Sequence, residues 1–158
     1  MKIIIMRHGE AEPWQRSDSD RNLTTHGIAQ ASWMGNHLLE WIGGSIDYAW
    51  ISPYVRAQQT WQAVSESWIK MPDVQTVDDI IPEGDPVAVL DYVLAFSQVK
   101  DPQCLMLVSH LPLVADLVFG LAPDAPLRGF STASIVAIDW NVKTQTGHFL
   151  WQRDTSLG

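Results

Sequence analysis

Near its N-terminus the chain reads Lys2-Ile3-Ile4-Ile5-Met6-Arg7-His8-Gly9-Glu10. The residues after Lys2 are all apolar as far as Met6, and three of them are β-branched isoleucines. An unbroken apolar run without alternation predicts a strand over 2–6 that is buried on both faces, as in the centre of a parallel sheet. The polar residues from Arg7 onward then lie at the carboxyl end of that strand.

Strands and helices are predicted to alternate along most of the remaining chain. Further strands are predicted over 47–51, 74–77, 105–108, 133–140 and 146–151, of which the last two form a hairpin. Helices are predicted from Thr24 or Thr25 to about Ile42, from Ser52-Pro53 onward, over 86–99 and over 112–121. In the second helix, we expect Ser52 to be the N-cap and Pro53 to lie in the first turn.

This alternation predicts an α/β fold, a three-layer α/β/α sandwich with a mainly parallel central sheet. A length of 158 residues is typical of one domain with one substantial core. The sequence contains neither an internal repeat nor a low-complexity segment that would indicate a linker. We therefore expect a single domain over residues 1–158.

Composition excludes several classes of function. Eighteen acidic and ten basic residues give a net charge of −8, which disfavours a nucleic-acid-binding surface. The apolar stretch before Arg7 is too short for a signal peptide or a membrane span, so we expect no membrane association and a cytoplasmic location. The single cysteine, Cys104, lies in an apolar run and is expected to be a buried core thiol rather than a reactive one.

The eight tryptophans raise the question of a ligand-stacking surface. Most of them fall on predicted helices or strands, where packing in the core or between helices is the expected role. Trp14 differs from the others because it lies in the loop that follows Gly9. It is therefore the one tryptophan expected near the first strand's carboxyl end.

Histidine and arginine side chains follow three separate strands. His8 comes after the first strand and His110 after the strand at 105–108, while Arg7 adjoins His8 and Arg56 lies one turn into the second helix. Ligands bind to open parallel sheets in the crevice at the carboxyl ends of the strands. We therefore expect these four side chains to converge on one crevice.

Such a set of side chains suits the transfer of a phosphoryl group. Arginine forks can bind the negative charge that spreads over the phosphoryl oxygens. A neutral imidazole at His8 can attack phosphorus and form a covalent phosphohistidine, while His110 can donate to a phosphoryl oxygen. The neighbouring arginines are expected to disfavour protonation of His8, which keeps its lone pair free near neutral pH.

Three blocks of sequence resemble the histidine phosphatase superfamily, also called phosphoglycerate-mutase-like, and they occur in the family's order. They are Arg7-His8-Gly9-Glu10, Ser52-Pro53 with Arg56-Ala57-Gln58-Gln59-Thr60, and Val108-Ser109-His110. Further stretches resemble the small SixA-type phosphohistidine phosphatases, namely 21–27, 81–85 and 109–114. The resemblance covers residues 1 to about 151 and implies a phosphatase with His8 as the phosphorylated nucleophile. It implies Arg7, Arg56 and His110 as the rest of the phosphate pocket, and neither a metal nor an organic cofactor.

Two features of the resemblance leave alternatives open. Arg21 matches a further basic position near the family's pocket, but it can equally pair at the surface with Asp18 or Asp20. Superfamily members that cleave phosphate esters usually add a carboxylic acid to protonate the leaving group, and this chain does not clearly reproduce their motif. Asp79 and Glu83 are its candidate general acids.

The resemblance implies a phosphohistidine-bearing protein, such as a histidine-phosphotransfer domain, as the substrate. Its leaving group is an imidazole with a pKa of about 6.5, which is expelled far more easily than an alkoxide and needs less help from an acid. One alternative is a small-molecule phosphomonoesterase that uses Asp79 or Glu83. Another is a module that binds phosphohistidine without turnover.

Overall fold

The computed structural model describes residues 1–13 and 16–158, so Trp14 lies outside the described residues. Its strands are β1 (Lys2–Arg7), β2 (Tyr48–Ile51), β3 (Asp73–Thr76), β4 (Cys104–Ser109), β5 (Ile135–Asn141) and β6 (Thr146–Arg153). Its α-helices are α1 (Thr25–Ile42), α2 (Val55–Ser65), α3 (Pro86–Lys100) and α4 (Leu113–Leu121), and a short 3₁₀ helix spans Asp18–Asp20. Within the described residues, none of the helices has the length and apolar character needed to cross a membrane.

The six strands form one mixed sheet in the order β3-β2-β4-β1-β5-β6. The first four strands in this order are mutually parallel. β5 runs antiparallel to β1, and β6 pairs antiparallel with β5 as a hairpin. The predicted sheet, mainly parallel with a final hairpin, is confirmed, and β1 and β4 lie together at its centre.

Two separate hydrophobic clusters cover the two faces of the sheet. Ile3 and Ile5 of β1 belong to the cluster that contains the buried residues of α3 and α4. Ile4 and Met6 belong to the cluster that contains the buried residues of α1 and α2. Successive side chains of a strand point to opposite faces, so an unbroken apolar run is what a sheet covered on both sides requires. The α/β/α layering is therefore confirmed.

The second helix begins later than the sequence predicts. α2 starts at Val55 with Tyr54 at the N-cap, and no side chain of the described residues caps it. The expected capping role of Ser52 is wrong, because its hydroxyl oxygen accepts a hydrogen bond from the Tyr54 N–H and lies 2.6 Å from His110 Nε2. The Ser52 side chain, which the local pattern predicts to cap the helix, thus contacts His110 instead.

Cys104 lies at the start of β4 and is buried, as its sequence environment predicts. Burial raises the pKa of its thiol to about 12. A thiol with so high a pKa is not a nucleophile near neutral pH. The interpretation of Cys104 as an inert core residue is confirmed.

Candidate active site

His8 follows directly after β1 and is only 7% exposed. Its Nδ1 lies 2.7 Å from the carbonyl oxygen of Gly9, and the Nε–H of Arg56 points at its Nε2 from 3.3 Å. A carbonyl can only accept and a guanidinium can only donate, so Nδ1 carries the proton and Nε2 carries the lone pair. Two independent neighbours therefore specify the tautomer that a nucleophile acting through Nε2 needs.

The pKa of His8 is lowered from 6.5 to about 4. Burial is the largest cause, and the positive charges of Arg56, Arg7 and Arg21 lower it further, whereas the Gly9 carbonyl raises it. The expected effect of the arginines is present, but removal of the ring from water is the stronger one. Near neutral pH the ring is uncharged.

Both helices on one face of the sheet hold the loop that carries His8. The Gly9 N–H donates to Thr60 Oγ1 of α2 at 3.0 Å, and Thr60 Oγ1 in turn donates to the Arg56 carbonyl at 2.7 Å. The Glu10 N–H donates to Oε1 of Gln30 in α1 at 2.8 Å. His8 is thereby positioned by α1 and α2 as well as by its own strand.

Two glycines bring this loop into direct contact with the first turn of α1. A Cβ on Gly9 would lie 2.5 Å from the carbonyl oxygen of Gly27, and a Cβ on Gly27 would collide with the carbonyl oxygen of Glu10. Only glycine permits backbones to approach this closely. The glycine of the Arg7-His8-Gly9 motif is therefore required by the packing of the loop on the helix.

Arg56 lies in the first turn of α2 and is 4% exposed. While its Nε faces His8, its Nη1 donates to the Asp18 carbonyl at 2.6 Å and its Nη2 donates to Asp18 Oδ2 at 3.2 Å. Two nitrogens held by Asp18 orient the guanidinium so that its Nε faces His8. Arg56 is thus placed as the sequence predicts, with a partner that the sequence did not indicate.

Arg21 also binds this aspartate. Its Nη1 donates to Asp18 Oδ1 at 2.9 Å, and its Nε donates to the Glu12 carbonyl at 2.7 Å. Asp18 therefore bridges Arg21 and Arg56, and its pKa is lowered chiefly by the hydrogen bond from Arg21. Of the two interpretations of Arg21, the pair with Asp18 is present, and it lies beside the pocket; phosphate contact by Arg21 stays a prediction.

Arg7 is the last residue of β1 and lies near His8 and Arg56. Its Nη1 donates to the Phe130 carbonyl at 2.8 Å, while its Nε is buried without a hydrogen-bond partner among the described residues. Burial, followed by the charge of Arg56, lowers its pKa. A buried donor without a partner is costly, and an anion bound beside Nε would satisfy it.

His110 completes the group at the end of β4. The ring is 1% exposed and its centroid lies 5.1 Å from that of His8. Its Nε2 lies 2.6 Å from Ser52 Oγ, whereas its Nδ1 is buried and has no partner in the part of the chain that the structure describes. Burial, then the proximity of His8 and Arg56, lowers its pKa to about 2, so this ring is also neutral.

The two candidate general acids differ in their connection to the pocket. Both Asp79 and Glu83 are exposed, and Glu83 Oε1 accepts a hydrogen bond from the Tyr54 hydroxyl at 3.3 Å. The Tyr54 ring centroid lies 5.0 Å from the guanidinium carbon of Arg56 and 5.0 Å from the His110 ring centroid. Glu83 thus reaches the edge of the site through Tyr54, and acid catalysis by either carboxylate stays a prediction.

Ser52, Tyr54 and Asp18 are contacts of the site that sequence reasoning missed. Ser52 and Tyr54 lie between β2 and α2, within the block that contains Arg56, so proximity to that arginine was the available signal. Asp18 was considered only as a surface partner of Arg21. Its contact with Arg56 spans 38 residues of sequence and has no local signature.

The two neutral histidines predict a loss of stability under mildly acidic conditions. The unfolded chain takes up protons on these rings near pH 6.5, whereas the folded chain resists protonation down to about pH 4 at His8 and about pH 2 at His110. The contribution of the two neutral rings to the free energy of unfolding is therefore complete above pH 6.5, and it decreases as the pH falls below that value. Urea unfolding at pH 7.5 and 5.0 should differ by on the order of 2 kcal/mol for each histidine.

Single substitutions separate this effect from general acid sensitivity. His8→Asn and His110→Asn should each reduce the difference between the two pH values, because each removes one resisted protonation. His148→Asn, which changes an exposed histidine of β6, should leave the difference as it is in the wild type. Equal pH dependence in all four proteins would contradict the neutral state of the buried rings.

Comparison with known proteins supports the resemblance seen in the motifs. Residues 3–80 match the histidine phosphatase superfamily (branch 1). A phosphohistidine phosphatase SixA homolog from Haemophilus influenzae is 37% identical over 147 residues, which cover 89% of each chain. Phosphohistidine phosphatase SixA from Escherichia coli is 32% identical over 155 residues, which cover 96% of this chain and 92% of that protein.

Similarity extends to a solved structure. A protein histidine phosphatase SixA complexed with tungstate matches 98% of this chain and 97% of its own, with a TM-score of 0.89 and 32% identity. Identity above 30% over nearly the whole length in three comparisons is far more specific than the three short motifs. The chain therefore belongs to the SixA-type branch of the histidine phosphatase superfamily and is a phosphatase.

Proposed function

We propose that this protein hydrolyses phosphohistidine on a protein, such as a histidine-phosphotransfer domain, through a phosphohistidine intermediate on His8. The observation that carries the proposal is the state of His8, a buried neutral ring with the Nε2 lone pair beside the Arg56 guanidinium. The names of the two curated relatives support the substrate class, since both are phosphohistidine phosphatases.

In the first step, the lone pair of His8 Nε2 forms a bond to phosphorus while the bond from phosphorus to the substrate nitrogen breaks. The bonding pair stays on the substrate nitrogen. A substrate ring that is protonated on its other nitrogen therefore leaves as a neutral imidazole. His8 then carries the phosphoryl group on Nε2 and a proton on Nδ1, and its positive charge is stabilised by the Gly9 carbonyl that accepts from Nδ1.

In the second step, water attacks phosphorus from the side that the substrate imidazole has left. The bond from phosphorus to Nε2 breaks, its electron pair returns to His8, and inorganic phosphate leaves with both hydrogens of the water. The ring is again neutral and protonated on Nδ1, so the enzyme is regenerated without a net change in protonation. The same hydrogen bond to Gly9 serves both steps.

The arginines supply most of the stabilisation of the transferring group. Arg56 presents the Nε edge of its fork to the position beside His8 Nε2, and Arg7 has a buried Nε without a protein partner in the described ranges. Both are donors to the equatorial oxygens, where negative charge spreads during transfer. His110 is the further donor, because the residue is 1% exposed and its Nδ1 has no partner among the described residues.

The position of the carboxylates favours phosphohistidine over phosphate esters as the substrate. An alkoxide leaving group needs a proton from an acid close to the transferred group. Glu83 is exposed and hydrogen-bonded to the Tyr54 hydroxyl, and Asp79 is exposed. An imidazole leaving group has no such requirement, because its pKa is already close to neutrality.

The decisive experiment compares two classes of substrate. Phosphate release is measured from a phosphohistidine-bearing phosphotransfer domain and from a panel of small phosphate esters, with the wild type, Asp79→Asn and Glu83→Gln. We expect fast release from the phosphoprotein, slow release from the esters, and little effect of either substitution. Fast release from esters alone, lost in one carboxylate variant, would overturn the proposal in favour of a phosphomonoesterase.

A further inference from the structure

Ser52 connects the ends of two strands at the base of the pocket. It follows β2, is 0% exposed, and its backbone N–H donates to the Val108 carbonyl of β4 at 3.0 Å. Its hydroxyl oxygen lies 2.6 Å from His110 Nε2 and 3.2 Å from the backbone nitrogen of Tyr54, which donates to it. The hydrogen bonds of the Ser52 and Tyr54 backbone N–H groups therefore help to hold the hydroxyl beside the imidazole.

The hydrogens around Ser52 can be assigned by counting donors and acceptors. The hydroxyl accepts from the Tyr54 N–H and has one hydrogen to give, and His110 Nε2 is the acceptor within its reach. If Nε2 instead carried the proton, the Ser52 hydrogen would be buried without an acceptor among the described residues. The unpartnered Nδ1 of His110 would then be a buried lone pair. Donation from Ser52 to Nε2 leaves only the Nδ1–H without a partner among the described residues, whereas the alternative leaves both the Ser52 hydrogen and the Nδ1 lone pair unsatisfied.

We propose that Ser52 is a positioning residue, which holds His110 as a neutral imidazole with its proton on Nδ1 and so makes that nitrogen a donor to the phosphoryl group. The proposal rests on the proposed role of this pocket in phosphoryl transfer. A lone pair at Nδ1 would repel phosphoryl oxygens, whereas an N–H there binds them. The low pKa of His110 supports the same state, because a ring that stays neutral has one proton to place.

Neighbouring Ser109 provides a matched control. It is also 0% exposed and also lies at a strand's carboxyl end, but its hydroxyl donates to the Ile80 carbonyl at 2.8 Å. Ser109→Ala therefore removes a buried hydroxyl and one hydrogen bond without removing the group that contacts the imidazole. An effect that is merely structural should appear in both serine variants.

Nitrogen NMR of protein labelled with ¹⁵N-histidine tests the proton position directly, without substrate. The His110 signals are assigned with His110→Gln, and spectra are compared for the wild type, Ser52→Ala and Ser109→Ala. We expect a protonated Nδ1 and an unprotonated Nε2 at His110 in the wild type and in Ser109→Ala. In Ser52→Ala we expect the Nε2-protonated form to gain population.

Steady-state kinetics give the second readout. We expect kcat to fall about ten- to hundredfold in Ser52→Ala, with little change in KM, because the lost donor acts on the transition state. Ser109→Ala should stay near the wild-type rate. Equal losses of kcat in the two serine variants would overturn the positioning role.

The NMR result separates this proposal from the proposed function. A wild-type spectrum with the proton on His110 Nε2, or an unchanged tautomer in Ser52→Ala, would overturn the role of Ser52 whatever the enzyme hydrolyses. The expected tautomer combined with no activity on phosphoproteins would instead overturn the proposed substrate. Because the wild-type spectrum reports the proton position by itself, the test decides even if Ser52→Ala does not fold.

Discussion

Replacement of His8 by alanine is expected to reduce phosphate release at least about ten-thousandfold, as removal of the nucleophile does in enzymes that form a covalent intermediate. Among the described residues, His110 is the neighbouring imidazole, and the distance of 2.6 Å from its Nε2 to Ser52 Oγ marks that nitrogen as occupied. Its ring centroid lies 5.1 Å from that of His8. Single-turnover release of phosphate from a phosphohistidine-bearing domain gives the rate.

Radioactive labelling of the enzyme tests the role of His8 independently of the rate. Wild-type enzyme quenched during turnover of ³²P-labelled substrate should retain acid-labile label, and His8→Ala should retain none. His148→Ala, at an exposed position on β6, should behave as the wild type in both assays. A rate close to the wild type in His8→Ala, or label on that variant, would refute His8 as the nucleophile.

Replacement of Arg56 by alanine is expected to lower kcat/KM by about a hundred- to thousandfold, the usual cost of removing a charged donor from a transferring phosphoryl group. The guanidinium contacts His8 through Nε, and it contacts the backbone and side chain of Asp18 through its other two nitrogens. Arg56→Lys should recover only a small part of the rate, since an ammonium is a point charge and cannot occupy three directions in one plane.

A surface arginine serves as the control for the effect of charge alone. Arg128→Ala removes an equal charge at an exposed position and should leave kcat/KM near the wild-type value. Circular dichroism and urea unfolding show whether each variant is folded. A folded Arg56→Ala enzyme with the rate of Arg128→Ala would exclude Arg56 from the reaction.

The centre of the fold could be predicted because its signal is local. Ile3 to Met6 and Leu105 to Val108 are unbroken apolar runs, and both proved to be central strands covered on two faces. The carboxyl ends of parallel strands lie at one edge of a sheet, so the convergence of His8, His110 and Arg56 followed from their positions after strands. The strand order was not predictable, because hydrophobic periodicity carries no information about which strands are neighbours.

What the sequence did not predict depends on contacts between distant residues. Ser52 before Pro53 has the local pattern of a helix cap, but the hydroxyl that would cap α2 instead contacts a histidine 58 residues away. Asp18 reads as one of several acidic residues in a polar loop, and only the folded chain brings it to Arg56. A side chain that has both a local and a tertiary partner available is where a local rule fails.

The two buried, uncharged imidazoles have a consequence for how this enzyme responds to acidity. From about pH 5 to 8 neither ring gains a proton, and guanidinium groups remain cationic throughout that range, so the pocket presents a constant charge. A phosphoryl group loses its last proton near pH 6. The imidazole ring of a histidine ionises in the same pH region. We therefore expect the pH dependence of the rate to follow the ionisation of the bound substrate, so that two substrates can have two different optima.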